Sequence, residues 1–333
     1  MSNKIFVTGS EGFIGSHLVE RLVDLEYKVK ALVLYNSFNN YGWLEELPNS
    51  TKNQIEIVSG DIRNSDSLKL YMKDCKVVLN LAALIAIPYS YVSPSAYIDT
   101  NIKGTLNLLQ TAKELGIKKF IHTSTSEVYG SAQYIPIDEQ HPLVGQSPYA
   151  ASKIGADQLA YSFYSTYNMP VSIVRPFNAY GPRQSARAII PTIISQIANN
   201  NKEIKLGSLN PSRDYTYVED VANGFIKAMK SRKNNGLVTN LGTGYEITMK
   251  ELANKISKLM NKKIKIVEDK KRVRPKNSEV ERLKSDFSRA VKILNWKPKY
   301  AGKKGFEDGL KKTIQWYLDP TNLEKFKSGI YNL

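Results

Sequence analysis

The chain holds a single cysteine, Cys75, in 333 residues. One thiol excludes an intramolecular disulfide and any multi-cysteine metal site, so no metal is expected and a reducing cytoplasm suits the chain. No apolar run approaches the roughly 18–20 residues of a membrane-spanning helix, so no membrane association is expected. The first ten residues, MSNKIFVTGS, pass directly into an apolar strand pattern, without the successive charged, apolar and small-residue segments of a secretory signal. Internal repeats and low-complexity tracts are lacking. So are helix-turn-helix, zinc and RNA-binding signatures, which bears on the charge: 47 Lys and Arg against 31 Asp and Glu, a net +16. A basic surface can bind nucleic acid. Here the lysines are spread along the chain, denser after about residue 200, and no reading motif accompanies them. The expectation is no nucleic-acid partner and a surface that favours polyanionic small molecules.

What is present is an alternation. KIFVTG, KVKALVLY, IEIVSGDI, VVLNLAAL and KKFIHTST read as five strands, with amphipathic segments between them, among them AYIDTNIKGTLNLLQTAKELG. A helix is expected over about 12–25, another over about 148–167, and PVSIVRPF follows as a sixth strand. Strands alternating with helices imply an α/β fold with a parallel, doubly wound sheet. Past residue 180 the pattern loosens into short strands, helices and loops, the mark of a smaller C-terminal α/β lobe. The expected division is residues 1–175 for a dinucleotide-binding Rossmann-like domain and 176–333 mainly for a substrate lobe, with interleaving of the two left open.

VTGSEGFIGSHL sets Gly9, Gly12 and Gly15 three residues apart between the first strand and the first helix. The chain must turn tightly there, bring backbone close to a pyrophosphate and pack a helix against the sheet, and glycine meets each need. An acidic residue is usual at the end of the second strand, where it holds the adenosine ribose of NAD. That strand ends LVLYNSFNN, with Val33 or Leu34 at the position and no carboxylate or arginine near. Asn36 and Ser37 offer hydrogen bonds to a hydroxyl or a phosphate, so NAD and NADP both stay open. Asp61, just past the third strand, is placed to accept from an adenine amino group or to cap a turn.

SPYAASKIGAD opens the helix at 148 and sets Tyr149 and Lys153 four apart, on one face. A cation beside a phenol favours phenolate, so Tyr149 is expected to be shifted from about 10 towards neutrality and to act as a base on a sugar hydroxyl. Upstream, HTSTSEVYG carries Thr125, Ser126 and Glu127 side by side.

With these motifs, and with GDI, NLAA, NIKGTLNLL, RPFNAYGPRQ, SRDYTYVEDVANG and NLGTG in the same order, nearly the whole chain resembles the extended short-chain dehydrogenase/reductases of the NAD-dependent epimerase/dehydratase family. The resemblance implies a tightly bound, recycled NAD or NADP on the N-terminal sheet, a nucleotide sugar on the C-terminal lobe and a homodimer built on helices near 95–115 and 148–167. Its cofactor contacts fall on Gly9, Gly12, Phe13, Ile14 and Gly15, on Asn36 and Ser37, on Asp61 and Ile62, on Leu81, Ala82 and Ala83, and on Asn101, Tyr149 and Lys153. Asn101 matches the asparagine that steadies the active-site helix, and a helix cap is compatible with that role.

Thr125 matches the group that bonds the sugar O4 beside Tyr149. The triplet Thr125-Ser126-Glu127 resembles that of 4,6-dehydratases, in which the glutamate is the C5 base. Ser126 stands where thymidine-sugar dehydratases carry aspartate, as in the GDP-mannose dehydratase pattern. Asn178, Arg183, Arg213 and Arg274 match substrate contacts. Guanidinium suits a diphosphate because it donates paired hydrogen bonds, although a surface salt bridge accounts for each arginine as well. VLYNSFNNYGWLEEL, ALIAIPYSY and YGPRQSARAIIPTIISQI most resemble bacterial dehydratases linked to legionaminic acid synthesis, a route in cell-surface glycan biosynthesis, which use nucleotide-linked N-acetylglucosamine. The implied activity is a lyase, a nucleotide-sugar 4,6-dehydratase. A 4-epimerase of the same family would use Thr125, Tyr149 and Lys153 and leave Glu127 idle, and a non-catalytic dinucleotide-binding protein would need none of them.

Overall fold

In β1 (Lys4–Thr8), Ile5 and Val7 point into one apolar core and Phe6 into another. The same alternation runs through β2 (Val29–Leu34), β4 (Cys75–Asn80), β5 (Lys119–Thr123) and β6 (Val171–Pro176). A strand buried on both faces must be apolar on both, which is why these segments read as continuous runs. The protein, a computed structural model describing residues 4–201 and 203–326, places these strands with β3 (Ile55–Gly60) and β10 (Val238–Leu241) in one seven-stranded sheet. Its order is β10-β6-β5-β4-β1-β2-β3 and every pairing is parallel.

Helices cover both faces. Phe13–Asp24 and Val218–Lys230 lie on one side; Ser65–Met72, Gly104–Glu114 and Pro148–Tyr167 lie on the other. The chain runs β1 to β2 to β3 in one direction and then returns to β4 on the other side of β1. That reversal opens a crevice at the carboxyl ends of β1 and β4, where ligands of open α/β sheets bind.

The helix expected over 148–167 is found at Pro148–Tyr167. Ser147 caps it by accepting from the Ala150 N–H, Pro148 takes the first position where no donor is needed, and Asn168 ends it in the left-handed conformation at φ 51°. The segment 94–114 departs from the single helix its periodicity suggests. A π-helical turn over Ile98–Lys103 joins the short helix Pro94–Tyr97 to Gly104–Glu114, and Asn101 sits inside it. Such turns divert a side chain out of helical register, often at functional sites.

The C-terminal lobe carries a three-stranded sheet, β11 (Glu246–Thr248), β9 (Ser212–Tyr217) and β7 (Asn178–Tyr180), and a parallel pair, β8 (Glu203–Leu206) and β12 (Lys265–Glu268). Its own core gathers Tyr180, Ile193, Tyr217, Leu252 and Phe306. Yet β10, the helix Val218–Lys230 and the buried Trp296 belong to the N-terminal layer. The boundary expected at 175/176 is therefore crossed by the large sheet itself. No helix among the described residues is long and apolar enough to cross a membrane.

Candidate active site

The glycine loop fits a pyrophosphate on this chain's own geometry. Gly9 has φ +64°, and a Cβ there would lie 2.9 Å from the Ala82 nitrogen. A Cβ on Gly15 would lie 2.0 Å from the Gly9 carbonyl oxygen. Gly12 caps the helix Phe13–Asp24 without any side-chain hydrogen bond, so the first-turn N–H groups, those of Phe13, Ile14 and Gly15 among them, have no side-chain partner at the cap. The buried Thr8 hydroxyl ties this strand to the next: it donates to Asn80 Oδ1 at 2.8 Å and accepts from Leu81 N and Ala82 N at 3.1 and 3.0 Å. Leu81 and Ala82 thus lie against the loop, and Ala83 follows them in the chain.

Further from the loop, three expected cofactor residues are already engaged. The Asn36 carboxamide donates to Leu34 O and Asn40 O and accepts from Asn40 N, closing the 36–40 turn on itself. Asp61 grips Arg63 with both oxygens and accepts its N–H, which is the turn-cap alternative; these bonds hold its carboxyl below the ordinary range. Ile62 packs over Gly104, while Ser37 is exposed. The group nearest the strand end is one the sequence reading passed over: Glu11 in the glycine loop accepts from the Leu34 N–H at 2.8 Å.

At the end of β5 the chain turns sharply. Thr125 caps the 3₁₀ turn Ser126–Tyr129 by accepting from the Glu127 N–H at 3.2 Å. Ser126 and Glu127 are buried, at 2% and 8% exposure. Tyr149 is buried beside them, near enough to the Thr125 hydroxyl for that group to oppose the rise of its phenol, with the Tyr97 ring edge-on at 6.2 Å. Lys153, one turn along the helix, donates to Thr123 O at 2.6 Å. Asn101 accepts from Leu84 N and donates to Leu84 O and Ser152 Oγ, each at 2.9 Å, binding the loop after β4 to the helix that carries Tyr149.

The electrostatics correct one expectation. Burial pushes the Tyr149 phenol well up, against the opposing Thr125 hydroxyl, with the carboxylates of Glu127 and Asp157 adding to the rise. Burial also lowers Lys153 to about 8, opposed by Asp157. Desolvation outweighs the lysine's influence because Lys153 aims at a backbone carbonyl. Any fall in the phenol's pKa must come with the positive charge of a bound nicotinamide.

Four charged groups line the side facing the C-terminal lobe. Arg213 on β9 lies 3.8 Å from Glu127 Oε1 and 3.5 Å from Glu279, and Glu279 lies 3.4 Å from Arg274. Tyr91 hydrogen-bonds Ser278 at 2.6 Å beside them. Arg213 is held in place through its neighbour. The fully buried Asp214 accepts from Thr243 N and Oγ1, Gly244 N and Ser285 N, and burial still pushes it up to about 6. This explains NLGTG at 240–244: Gly242 leaves room for Ser285, whose Cβ would otherwise lie 2.3 Å from a side chain there.

On β7, Asn178 buries its Oδ1 with no hydrogen-bond partner, as suits a ligand-facing group. Arg183 is engaged in the structure by the first helix: its guanidinium lies 2.9 Å from Glu20 and 3.5 Å from Ser16 Oγ, the salt-bridge alternative for this residue.

A family model described as GDP-mannose 4,6 dehydratase matches residues 6–312. The chain belongs to the NAD-dependent epimerase/dehydratase family. Among its relatives, the mouse dTDP-D-glucose 4,6-dehydratase is 33% identical, covering 95% of this chain and 89% of the relative. Among solved structures, the UDP-N-acetylglucosamine 4-epimerase of Methanobrevibacter ruminantium, in complex with UDP-N-acetylmuramic acid, superposes with a TM-score of 0.84 at 32% identity, covering 95% of this chain and 98% of that one. A dTDP-glucose 4,6-dehydratase from Streptomyces venezuelae with NAD bound gives 0.83 at 28% identity, covering 97% and 99%. The family thus brings dehydratases and epimerases to the same likeness, and the distinction rests on the side chains of this chain.

Proposed function

We propose that the protein is a cytoplasmic nucleotide-sugar 4,6-dehydratase acting on a GDP- or UDP-linked N-acetylglucosamine. The observation that carries this reading is Glu127: a second carboxylate, buried on the turn that bears Thr125 and close enough to raise the Tyr149 phenol. An epimerase needs no such base. When bound, NAD supplies a hydride acceptor at C4 and gives the hydride back at C6. Tyr149 takes the O4 proton as the C4–H bond breaks, Thr125 holds O4, and Lys153 contributes positive charge. The C5 proton, now α to a ketone, is acidic, and Glu127 removes it. The C6 hydroxyl leaves as water with that proton. A proton from solvent returns to C5 by way of Glu127, and with the hydride that the cofactor would give back at C6 the net change is loss of one water. Arg213 and Arg274 grip the diphosphate, displacing Glu279 from between them, and Asn178 bonds the sugar or diphosphate.

Incubation with UDP- and GDP-N-acetylglucosamine is expected to yield a product lighter by one water, with no stoichiometric use of added NAD. An isobaric product with inverted C4, read by NMR, would establish the epimerase instead. That second reading draws on the epimerases among the relatives.

The same reading includes a homodimer. Ile98 and Tyr161, on the two helical segments that would meet, are about half exposed. Light scattering at micromolar concentration is expected to give twice the chain mass, and a monomer would count against the arrangement.

A further inference from the structure

Beneath the site runs a row of buried polar side chains. Thr8 on β1, Asn80 on β4, His122 on β5, Arg175 on β6 and Asn240 on β10 come from five strands of the sheet and are each 3% exposed or less. Thr8 donates to Asn80, Asn80 meets His122 Nδ1 at 3.4 Å, Arg175 donates to Tyr129 Oη at 2.9 Å, and that hydroxyl donates to Asn240 at 2.7 Å. Asp157 joins the two halves. It accepts from Arg175 Nε and Nη2 at 3.1 and 2.8 Å and from Ser124 Oγ at 2.7 Å, and its other oxygen lies 3.4 Å from His122 Nε2.

Asp157 also sits on the catalytic helix. Tyr149, Lys153 and Asp157 follow at intervals of four, on one face. Each meets one of three consecutive residues at the end of β5: Lys153 donates to Thr123 O, Asp157 accepts from Ser124, and Tyr149 lies beside Thr125. The helix and the strand end thus meet at three successive points, and the lowest is a carboxylate locked by a guanidinium. Burying a carboxylate and two cations has a large desolvation cost, tolerated only when they are paired and hydrogen-bonded.

We propose that Asp157 is a positioning residue of the active site: held by Arg175 and Ser124, it fixes the height of Thr125 against Tyr149 and gives Lys153, one turn back on the same buried face, its counter-charge. This rests on the catalytic reading of Tyr149 and Lys153. The charged and titratable groups around it are Arg175 from β6, His122 from β5, Lys153 and Tyr149 from its own helix, and Tyr129 on the far side of Arg175. Arg175 and the hydrogen bonds outweigh burial and hold Asp157 down at about 2, so it stays anionic throughout the working range. Burial lowers His122 and leaves it neutral near pH 7. Lys153 therefore has Asp157 as its counter-charge, and loss of that charge must lower its titration further.

The test is Asp157→Asn, which keeps shape and an acceptor for Ser124. The titration midpoint of Lys153 is followed by NMR of ε-¹³C-lysine, with Lys153→Met assigning the signal. The midpoint is expected to fall by about one pH unit or more, the scale of a lost neighbouring charge. Lysine charge is present below its midpoint, so the rate deficit of the variant with UDP-N-acetylglucosamine should widen from pH 6 to pH 8, reaching about fivefold. Ser124→Ala, which keeps the carboxylate, should leave the Lys153 midpoint in place. If Asp157→Asn melts earlier but Lys153 titrates as before, Asp157 is a structural residue only and the proposal fails. Should Asp157→Asn not fold, Asp157→Glu carries the same reading: its carboxylate, displaced by one methylene, should shift the midpoint, and an unmoved midpoint overturns the proposal. The NMR arm reads whether or not the sugar turns over, so failure of the dehydratase reading is distinguishable from failure of this one.

Discussion

Tyr149→Phe is expected to slow reduction of the bound cofactor by two decades or more while leaving cofactor affinity nearly unchanged. General bases contribute about 10²–10⁴-fold, and the phenol is the group on this face of the helix that meets Thr125 directly. The ring itself packs against Tyr97, so phenylalanine keeps the packing and removes only the proton carrier. Because burial raises this phenol in the empty protein, the wild-type rate should climb with pH until the cofactor-bound phenol is ionised, and the variant should show no such climb. Lys153→Met should lose both rate and cofactor affinity. Single-turnover absorbance at the reduced nicotinamide band measures the first effect and equilibrium titration with NAD the second. A Tyr149→Phe enzyme within threefold of wild type would remove Tyr149 from the chemistry.

Glu127→Gln should divide the reaction in two. Tyr149 and Thr125 serve C4, so the variant should still reduce its bound cofactor on mixing with substrate. C5 deprotonation has lost its base, so release of the 4-keto-6-deoxy product should drop by at least two decades. Glutamine keeps the volume of the buried side chain and its place near Arg213, which separates chemistry from packing. Two isotopic readouts on wild type complete the argument: turnover in deuterated water should place one deuterium at C5, and deuterium supplied at C4 should reappear at C6 of the same molecule. Normal turnover by Glu127→Gln, or washout of the C4 label to solvent, would make the 4-epimerase the better account.

Much of this was legible in the sequence because short-range rules decide it. Five strands of the main sheet are apolar on both faces, glycines sit where a Cβ would strike backbone, and Pro148 opens the long helix. The neighbours Thr125, Glu127, Tyr149 and Lys153 are drawn together as their motifs suggest. What escaped is what only tertiary contact decides. β10 is four residues of unremarkable pattern made a strand by pairing with β6. Asn101 looks like part of a regular helix, and its π-helical turn follows from bonds to Leu84 and Ser152. Arg183 carries the same charge as Arg213, and only the tertiary position of Glu20 shows that it is paired with the first helix. Glu279 and Asp157 belong to no local motif, so their roles appear once distant arginines stand beside them. The phenol of Tyr149 was read from its lysine neighbour, and its burial reversed the direction.

The outer position of β10 also governs how the chain can be made. Emerging from the ribosome in order, residues 4–176 supply six of the seven parallel strands and leave β6 as a bare edge carrying the apolar Val171, Ile173 and Val174. An exposed apolar edge invites pairing with any other strand in reach. Cover arrives only after the whole of β7, β8 and β9 has been synthesised and the chain has come back to Val238. Trp296, which completes the core beneath the helix Val218–Lys230, comes later still. The nascent N-terminal half is therefore open to strand mispairing by topology, and a fragment cut at residue 175 would present to its neighbours the edge that the full chain hides.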